Sequence, residues 1–147
     1  MRAADAHRRV VPVVALGGML GASARFALER SWPAAGDSLP WATLFINVSG
    51  CALIGMLMVH VNEAGRAHPL LRPFLGVGLL GGYTTFSTYA VQVHALLLAG
   101  KPALAMVYLF GTTLAALVAV GLGVAAARTT VQARHRLART RGREERG

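Results

Sequence analysis

Residues 81–88 read Gly-Gly-Tyr-Thr-Thr-Phe-Ser-Thr and interrupt an apolar stretch that runs from about 70 to 99. Glycines followed by β-branched and hydroxyl-bearing residues disfavour a continuous helix. In hydrocarbon, unpaired backbone N–H and C=O groups are costly, so a helix break is tolerated only inside protein or beside a polar cavity. The segment therefore predicts one of two structures. Either an ion or substrate site is built on the break, or a pair of packing glycines lies beside hydroxyls that bond back to their own helix.

Four apolar stretches, including the interrupted one, are long enough to cross a bilayer, which takes about 20 residues for each helix. They cover about 10–30, 41–61, 70–99 and 103–127. Only 14% of the chain is charged, against about 25% in soluble domains. A soluble bundle needs a polar stripe on each helix, whereas the last stretch has no ionisable side chain except Tyr108. We therefore predict an all-α integral membrane protein with a membrane domain at 10–127 and four transmembrane helices, the third broken in mid-membrane.

Basic residues flank this apolar interior. The chain has fifteen Lys and Arg against six Asp and Glu, a net charge of +9. Seven arginines lie between 128 and 146, and three lie in 1–9. Twelve basic residues fall on the side of the termini, against Arg30 and Lys101 on the other, with Arg25 inside the membrane. Because basic residues next to membrane helices concentrate on the cytoplasmic side, we expect a multi-pass protein of the cell (inner) membrane with both termini cytoplasmic.

The two basic ends are expected to lie outside the membrane, as a cytoplasmic N-terminus at 1–9 and an Arg-rich cytoplasmic tail at 128–147. A polybasic segment next to a membrane helix favours contact with anionic lipid. We expect the tail to be disordered or to lie on the lipid surface. Binding to nucleic acid, the usual interpretation of such a basic chain, is not expected.

The N-terminal apolar run has a second interpretation. Arg8 and Arg9 precede it, and Ala22, Ser23 and Ala24 resemble a signal-peptidase site, so cleavage there would leave three helices. The run nevertheless continues past that site to Leu28. A further argument for a retained first helix is a small-xxx-small pair suited to helix packing, formed by Gly17 and Gly21.

Several residues within the apolar stretches are candidates for chemistry, each with a plainer alternative. Phe86 and Tyr89 share a helix face at i and i+3, and their electropositive ring edges would favour an anion, although such pairs are usually packing residues. Asn47 lies in mid-crossing and either donates hydrogen bonds to an anion or ties two helices together. Arg25 either contacts an anion or snorkels and ties helices, with Glu29 within reach at i+4.

Some chemistries lack the residues that they need. The single cysteine, Cys51, excludes a disulfide within the chain and a Cys-based zinc site. No Asp or Glu lies in the middle of a crossing, so the carboxylate relay of a proton-coupled exporter is missing. No pairing of nucleophile and base, metal-ligand cluster or phosphate loop occurs, so we do not expect an enzyme.

The sequence resembles the Fluc (CrcB) fluoride channel family over residues 11–125. The most specific match is the segment 81–88, supported by Gly-Ala-Ser-Ala-Arg-Phe at 21–26 and by Thr43 to Asn47 followed by Gly50. The resemblance implies passive fluoride efflux through an antiparallel dimer with two narrow pathways. It also implies a structural Na⁺ at the dimer centre, held by the carbonyls of Gly81 and Thr84. The pathway residues that it implies are Asn47, Phe86, Ser87, Thr88, Tyr89, Tyr108, Thr112 and Arg25.

The chain departs from that family pattern at three positions. Tyr89 replaces a second Phe, Gln92 stands where Glu is common, and Ala116 stands where a hydroxyl is frequent. The charge bias adds a hypothesis of its own, because a subunit that inserts in both orientations should have balanced loop charges. We therefore expect one fixed orientation and pairing with an oppositely oriented paralogue. The alternative functions are a small four-helix multidrug-type exporter and a non-conducting membrane assembly partner.

Overall fold

Helices make up all the regular secondary structure of the part of the chain that the structure, a computed structural model, describes. The described residues are 3–33, 38–63 and 69–144, with side chains described for 8–33, 38–61 and 69–133. The ends of the predicted N-terminus and tail, at 1–2 and 145–147, lie outside the described residues. The helical elements are α1 (Ala3–Ser31), α2 (Trp41–Glu63), a π-helix (Pro73–Leu80), α3 (Gly81–Tyr83), α4 (Ser87–Leu98) and α5 (Pro102–Glu144).

Three of these helices are long and apolar enough to cross a membrane. Their candidate spans are Arg8–Ser31, Trp41–Val61 and Pro102–Ala133, and they contain three of the four apolar stretches predicted above. Helices α1 and α5 also extend beyond the apolar residues, because Ala and Arg are good helix formers in water as well. The apolar pattern therefore marks the part of each helix suited to hydrocarbon, and not the ends of the helix itself.

The fourth apolar stretch, at 70–99, does not form one helix. The π-helix continues into α3, the chain bends at residues 84–86, and α4 begins at Ser87. At Thr84 the backbone turns to an extended conformation with ψ of 155°. The predicted break is therefore present, but it falls just after Gly81 and Gly82, which are themselves helical. The bend nevertheless lies within the segment 81–88, where the sequence predicted it.

Glycines instead allow backbones to touch. A Cβ built on Gly78 would lie 2.7 Å from the Val14 carbonyl oxygen and 3.0 Å from the Cα of Gly17. A Cβ on Gly82 would overlap the carbonyl of Gly18 in the same way. The π-helix and α3 thus pack directly on α1, which confirms the predicted packing role of Gly17. Both structures proposed for 81–88 are therefore partly present, with packing at Gly82 and a break after Tyr83.

Substitution of Gly21 by Ala should destabilise the protein. A Cβ at this position would overlap the Leu79 carbonyl oxygen and lie 2.8 Å from the Tyr83 nitrogen, so the two backbones must separate, at a cost of about 1–3 kcal/mol. The matched control is Gly121→Ala on α5, where a Cβ would meet no atom within 4 Å. The measurement is the thermal midpoint in detergent. Equal midpoints for the two variants would contradict the packing argument.

Candidate functional site

Asn47 pairs with the backbone of the broken segment. Its Nδ2 donates to the Thr85 carbonyl at 2.9 Å, and its Oδ1 accepts from the Thr85 N–H at 2.9 Å. A side-chain amide has one acceptor and two donors, so it can replace both helical partners that the bend removes from one residue. Of the two roles considered for Asn47, the structure shows the tie between helices. The second Nδ2 hydrogen takes no part in this pair.

Thr85 also caps the helix that follows. Its Oγ1 accepts from the Thr88 N–H at 3.2 Å, three residues ahead, which is the geometry of an N-cap. The same hydroxyl donates to Thr88 Oγ1 at 3.1 Å and lies 3.3 Å from Ser87 Oγ. Ser87 and Thr88 therefore form a hydroxyl cluster at the first turn of α4. Thr85 is not among the residues predicted for the site, although a Thr just before a resumed helix is a recognisable capping signal.

Two carbonyls at the break lose their usual donors. In a continuous α-helix, the Gly81 carbonyl accepts from the N–H of Thr85, and the Thr84 carbonyl accepts from the N–H of Thr88. Here the Thr85 N–H donates to Asn47 and the Thr88 N–H donates to Thr85 Oγ1. The bend thus leaves two carbonyl oxygens, three residues apart, without these helical partners.

Arg25 on α1 reaches the same cluster. Its Nη1 lies 3.5 Å from Thr88 Oγ1, which places a positive charge beside the first turn of α4. Within the described side chains, Arg25 Nε and Glu29 Oε1 are buried without a hydrogen-bond partner. The contact between Arg25 and Glu29 that their i, i+4 spacing allows is therefore not formed through these atoms.

Three aromatic rings form a row that leads from the surface into the core. The ring centroids of Phe86 and Tyr89 are 5.8 Å apart, and those of Tyr89 and Tyr108 are 5.3 Å apart. Phe86 is 80% exposed, whereas Tyr89 and Tyr108 are 5% and 1% exposed. Phe86 and Tyr89 therefore lie side by side, which agrees with their spacing of i and i+3. Tyr108, which the sequence alone did not connect to them, completes the row because α5 packs against α4.

The two tyrosine hydroxyls fasten α4 to α5. Tyr89 donates to the Leu109 carbonyl and lies 3.2 Å from Thr113 Oγ1. Tyr108 donates to Gln92 Oε1 at 2.8 Å. Tyr89 is the residue that departs from the family pattern. Its hydroxyl proton is used in the hydrogen bond to α5. What Tyr89 presents to its surroundings is an aromatic ring, as a Phe would.

An open groove of about 350 Å³ runs beside the break. Its lining includes Asn47, Phe86, Tyr89 and Thr112, four of the predicted pathway residues, and among the described side chains none of the lining residues is charged. The Thr112 hydroxyl is buried without a hydrogen-bond partner. The other predicted residues do not line the groove: Tyr108 lies behind Tyr89, and the cluster of Arg25, Ser87 and Thr88 lies at the first turn of α4.

Replacing Asn47 by Leu should destabilise the fold. The change leaves the Thr85 N–H and C=O unpaired inside the protein, at a cost of about 1–3 kcal/mol for each group. We expect a thermal midpoint several degrees below that of the wild type in detergent. The control is Ser31→Ala, which removes an exposed hydroxyl that bonds only to its own helix. An unchanged midpoint for Asn47→Leu would show that the pairing with Thr85 is not needed.

Comparison with known proteins identifies the family. The CrcB-like protein family, also called Camphor Resistance (CrcB), matches residues 12–124. The chain is 50% identical over 127 residues to Fluoride-specific ion channel FluC 2 of Nocardia farcinica, covering 86% of this chain and 91% of the relative. It is also 50% identical over 123 residues to Fluoride-specific ion channel FluC 1 of Streptomyces coelicolor, covering 84% and 80%. The chain is therefore a member of the CrcB family, a family of membrane ion channels and not of enzymes.

Proposed function

We propose that this chain is a subunit of a fluoride-selective channel that lets fluoride leave the cytoplasm passively, down its electrochemical gradient. The observation that carries the proposal is the groove beside the helix break, where Asn47, Phe86, Tyr89 and Thr112 meet. Relatives that are 50% identical are named fluoride-specific ion channels. The multidrug-type exporter and the assembly partner are not favoured by these relatives.

The chemistry of the lining suits a small anion. The ring edges of Phe86 and Tyr89 are electropositive, Asn47 retains one amide hydrogen beyond its pair with Thr85, and the Thr112 hydroxyl has no protein partner. These weak donors replace part of the hydration shell without holding the ion tightly, which conduction requires. The other predicted pathway residues lie outside the lining of the groove. Ser87 and Thr88 hold hydroxyls, and Arg25 a positive charge, at the first turn of α4, while Tyr108 packs behind the ring of Tyr89.

One subunit alone leaves this pathway open on one side. Phe86 is 80% exposed, and the groove that it borders is open among the residues that the structure describes. In an antiparallel dimer each subunit would cover the groove of the other, which would create two pathways. In this arrangement the bent stretch from the π-helix to α4 crosses the membrane as the third of four spans. Its polar break is then buried between subunits, as hydrocarbon requires.

The carbonyls of Gly81 and Thr84 fit the structural Na⁺ that the family resemblance implies. Both have lost a helical donor to a side chain, and unwound backbone carbonyls are typical ligands of Na⁺ in membrane proteins. No cluster of three or more His, Cys, Asp or Glu residues occurs among the described residues. When bound, the cation would supply positive charge at the dimer centre and hold the two broken segments together.

The charge asymmetry supports a fixed orientation. Twelve basic residues on the side of the termini against two on the other favour a single topology, with both termini in the cytoplasm. An antiparallel dimer of a chain that inserts in only one direction needs a second chain that inserts in the other. The partner is therefore an oppositely oriented paralogue.

Fluoride efflux from liposomes tests the function. We expect fluoride-selective efflux, with chloride as the control anion, when the subunit is reconstituted with a neighbouring paralogue. Efflux from the subunit alone would retain the channel and contradict obligatory pairing. Folded, dimeric protein without efflux in either case would contradict the proposed function.

The same assay separates the pathway from general packing. Phe86→Ala should reduce efflux at least about tenfold, because it removes a ring edge from the pathway, while its exposure limits the effect on folding. Phe110→Ala is the matched control, because Phe110 is 68% exposed on α5 and does not line the groove. Equal losses in both variants would argue against a role for Phe86 in the pathway.

Removal of Na⁺ tests the cation site. Exchange of Na⁺ for N-methyl-D-glucamine at constant ionic strength should lower the thermal midpoint and convert dimers to monomers, because the cation binds only the assembled state. The midpoint and the mass of the protein in detergent are the readouts, and K⁺ at the same ionic strength is the control. If both are unchanged without Na⁺, the carbonyls of Gly81 and Thr84 do not hold it.

A further inference from the structure

The last helix is much longer than a membrane crossing, and its extension is basic. Helix α5 runs without interruption over 43 residues, Pro102–Glu144. No proline follows Pro102, and no acidic residue occurs between Glu63 and Glu144. Its apolar part, 103–127, is about 37 Å long at 1.5 Å per residue, which exceeds the hydrocarbon core of about 30 Å. Arg128 therefore lies at the level of the lipid headgroups when the helix spans the bilayer.

Helical continuity fixes how far each later arginine lies from that level. At the same rise per residue, Arg134 and Arg136 are about 9 Å and 12 Å beyond Arg128 along the axis, whereas Arg141 and Arg143 are about 20 Å and 23 Å beyond it. The range of electrostatic attraction is about 10 Å at 0.1 M salt. Only the first two of these arginines lie about one such distance from a charged lipid surface.

We propose that the basic turns of α5 directly after the membrane span, residues 128–136, form a binding surface for the headgroups of anionic phospholipids. The partner follows from position, because these turns are covalently continuous with a membrane helix and so always face the lipid surface. A cluster of arginines at this place attracts anionic lipid. The proposal depends only on insertion of α5 in the membrane, so it stands or falls independently of fluoride conduction.

In this proposal the tail is a helix that continues away from the membrane and contacts lipid only through the turns next to the span. The expectation of a disordered tail is wrong for residues 128–144, which are helical. The second arrangement to test is a segment that lies on the lipid surface along its whole length. The two arrangements differ in which arginines matter. If the helix leaves the membrane, only the inner pair, Arg134 and Arg136, contacts lipid. If the segment lies on the surface, the outer pair, Arg141 and Arg143, contacts lipid as well.

Two charge-matched variants of the full chain test the proposal. Arg134→Gln with Arg136→Gln removes the inner pair, and Arg141→Gln with Arg143→Gln removes the outer pair. Arg128 is left intact because its side chain takes part in another interaction. The readout is the relative association of spin-labelled phosphatidylglycerol and phosphatidylcholine with the reconstituted protein, measured by electron paramagnetic resonance.

The variant without the inner pair should show a preference for phosphatidylglycerol over phosphatidylcholine that is at least about fivefold smaller than that of the wild type. In the variant without the outer pair the preference should fall by less than about twofold. Raising the salt to about 1 M should remove the wild-type preference, because screening then acts within about 3 Å. Equal losses in the two variants, or a wild type without preference, would overturn the proposal. A second result would also overturn it. In phosphatidylcholine bilayers, the protein would bind a short DNA duplex in a salt-sensitive way, and both variants would weaken this binding equally.

Discussion

The pairing of Asn47 with both backbone groups of Thr85 is the interaction on which the rest of the site depends. A bend in an apolar helix exposes donors and acceptors that lipid cannot satisfy. One side-chain amide from α2 satisfies both groups of the central residue. The bend is therefore stable, and Phe86 and Tyr89, which follow Thr85, can line the groove.

Once the bend is stable, hydrogen bonds connect it to three other helices. Arg25 reaches it from α1, Asn47 from α2, and the Tyr89 hydroxyl ties the first turn of α4 to α5. Close backbone packing through Gly18 and Gly82 holds the helical half of the stretch against α1. The site is thus fixed from several sides although no continuous helical hydrogen bonding runs through it. Such bracing suits a lining that must offer weak contacts to a passing ion without collapsing.

Much of the fold could be predicted from local pattern. The apolar stretches at 10–30, 41–61 and 103–127 coincide with candidate membrane spans, because hydrophobic length is a property of sequence alone. The break was also predictable, but its residue was not. The composition of 81–88 predicted a break somewhere in that segment, and the structure has the bend at 84–86, where partners from other elements take over the backbone hydrogen bonds.

The sequence by itself determined that the protein is a membrane protein of the all-α class, that its third apolar stretch is interrupted, and that its charges lie at its ends. These properties follow from hydrophobicity, chain length and local backbone preference. Only the tertiary structure decided what Asn47 binds, which carbonyls lose their donors, and that Tyr108 continues the aromatic row. Those outcomes depend on how α2, α4 and α5 approach one another. Hydrogen bonds between residues as far apart as 47 and 85 produce no periodic pattern in the sequence.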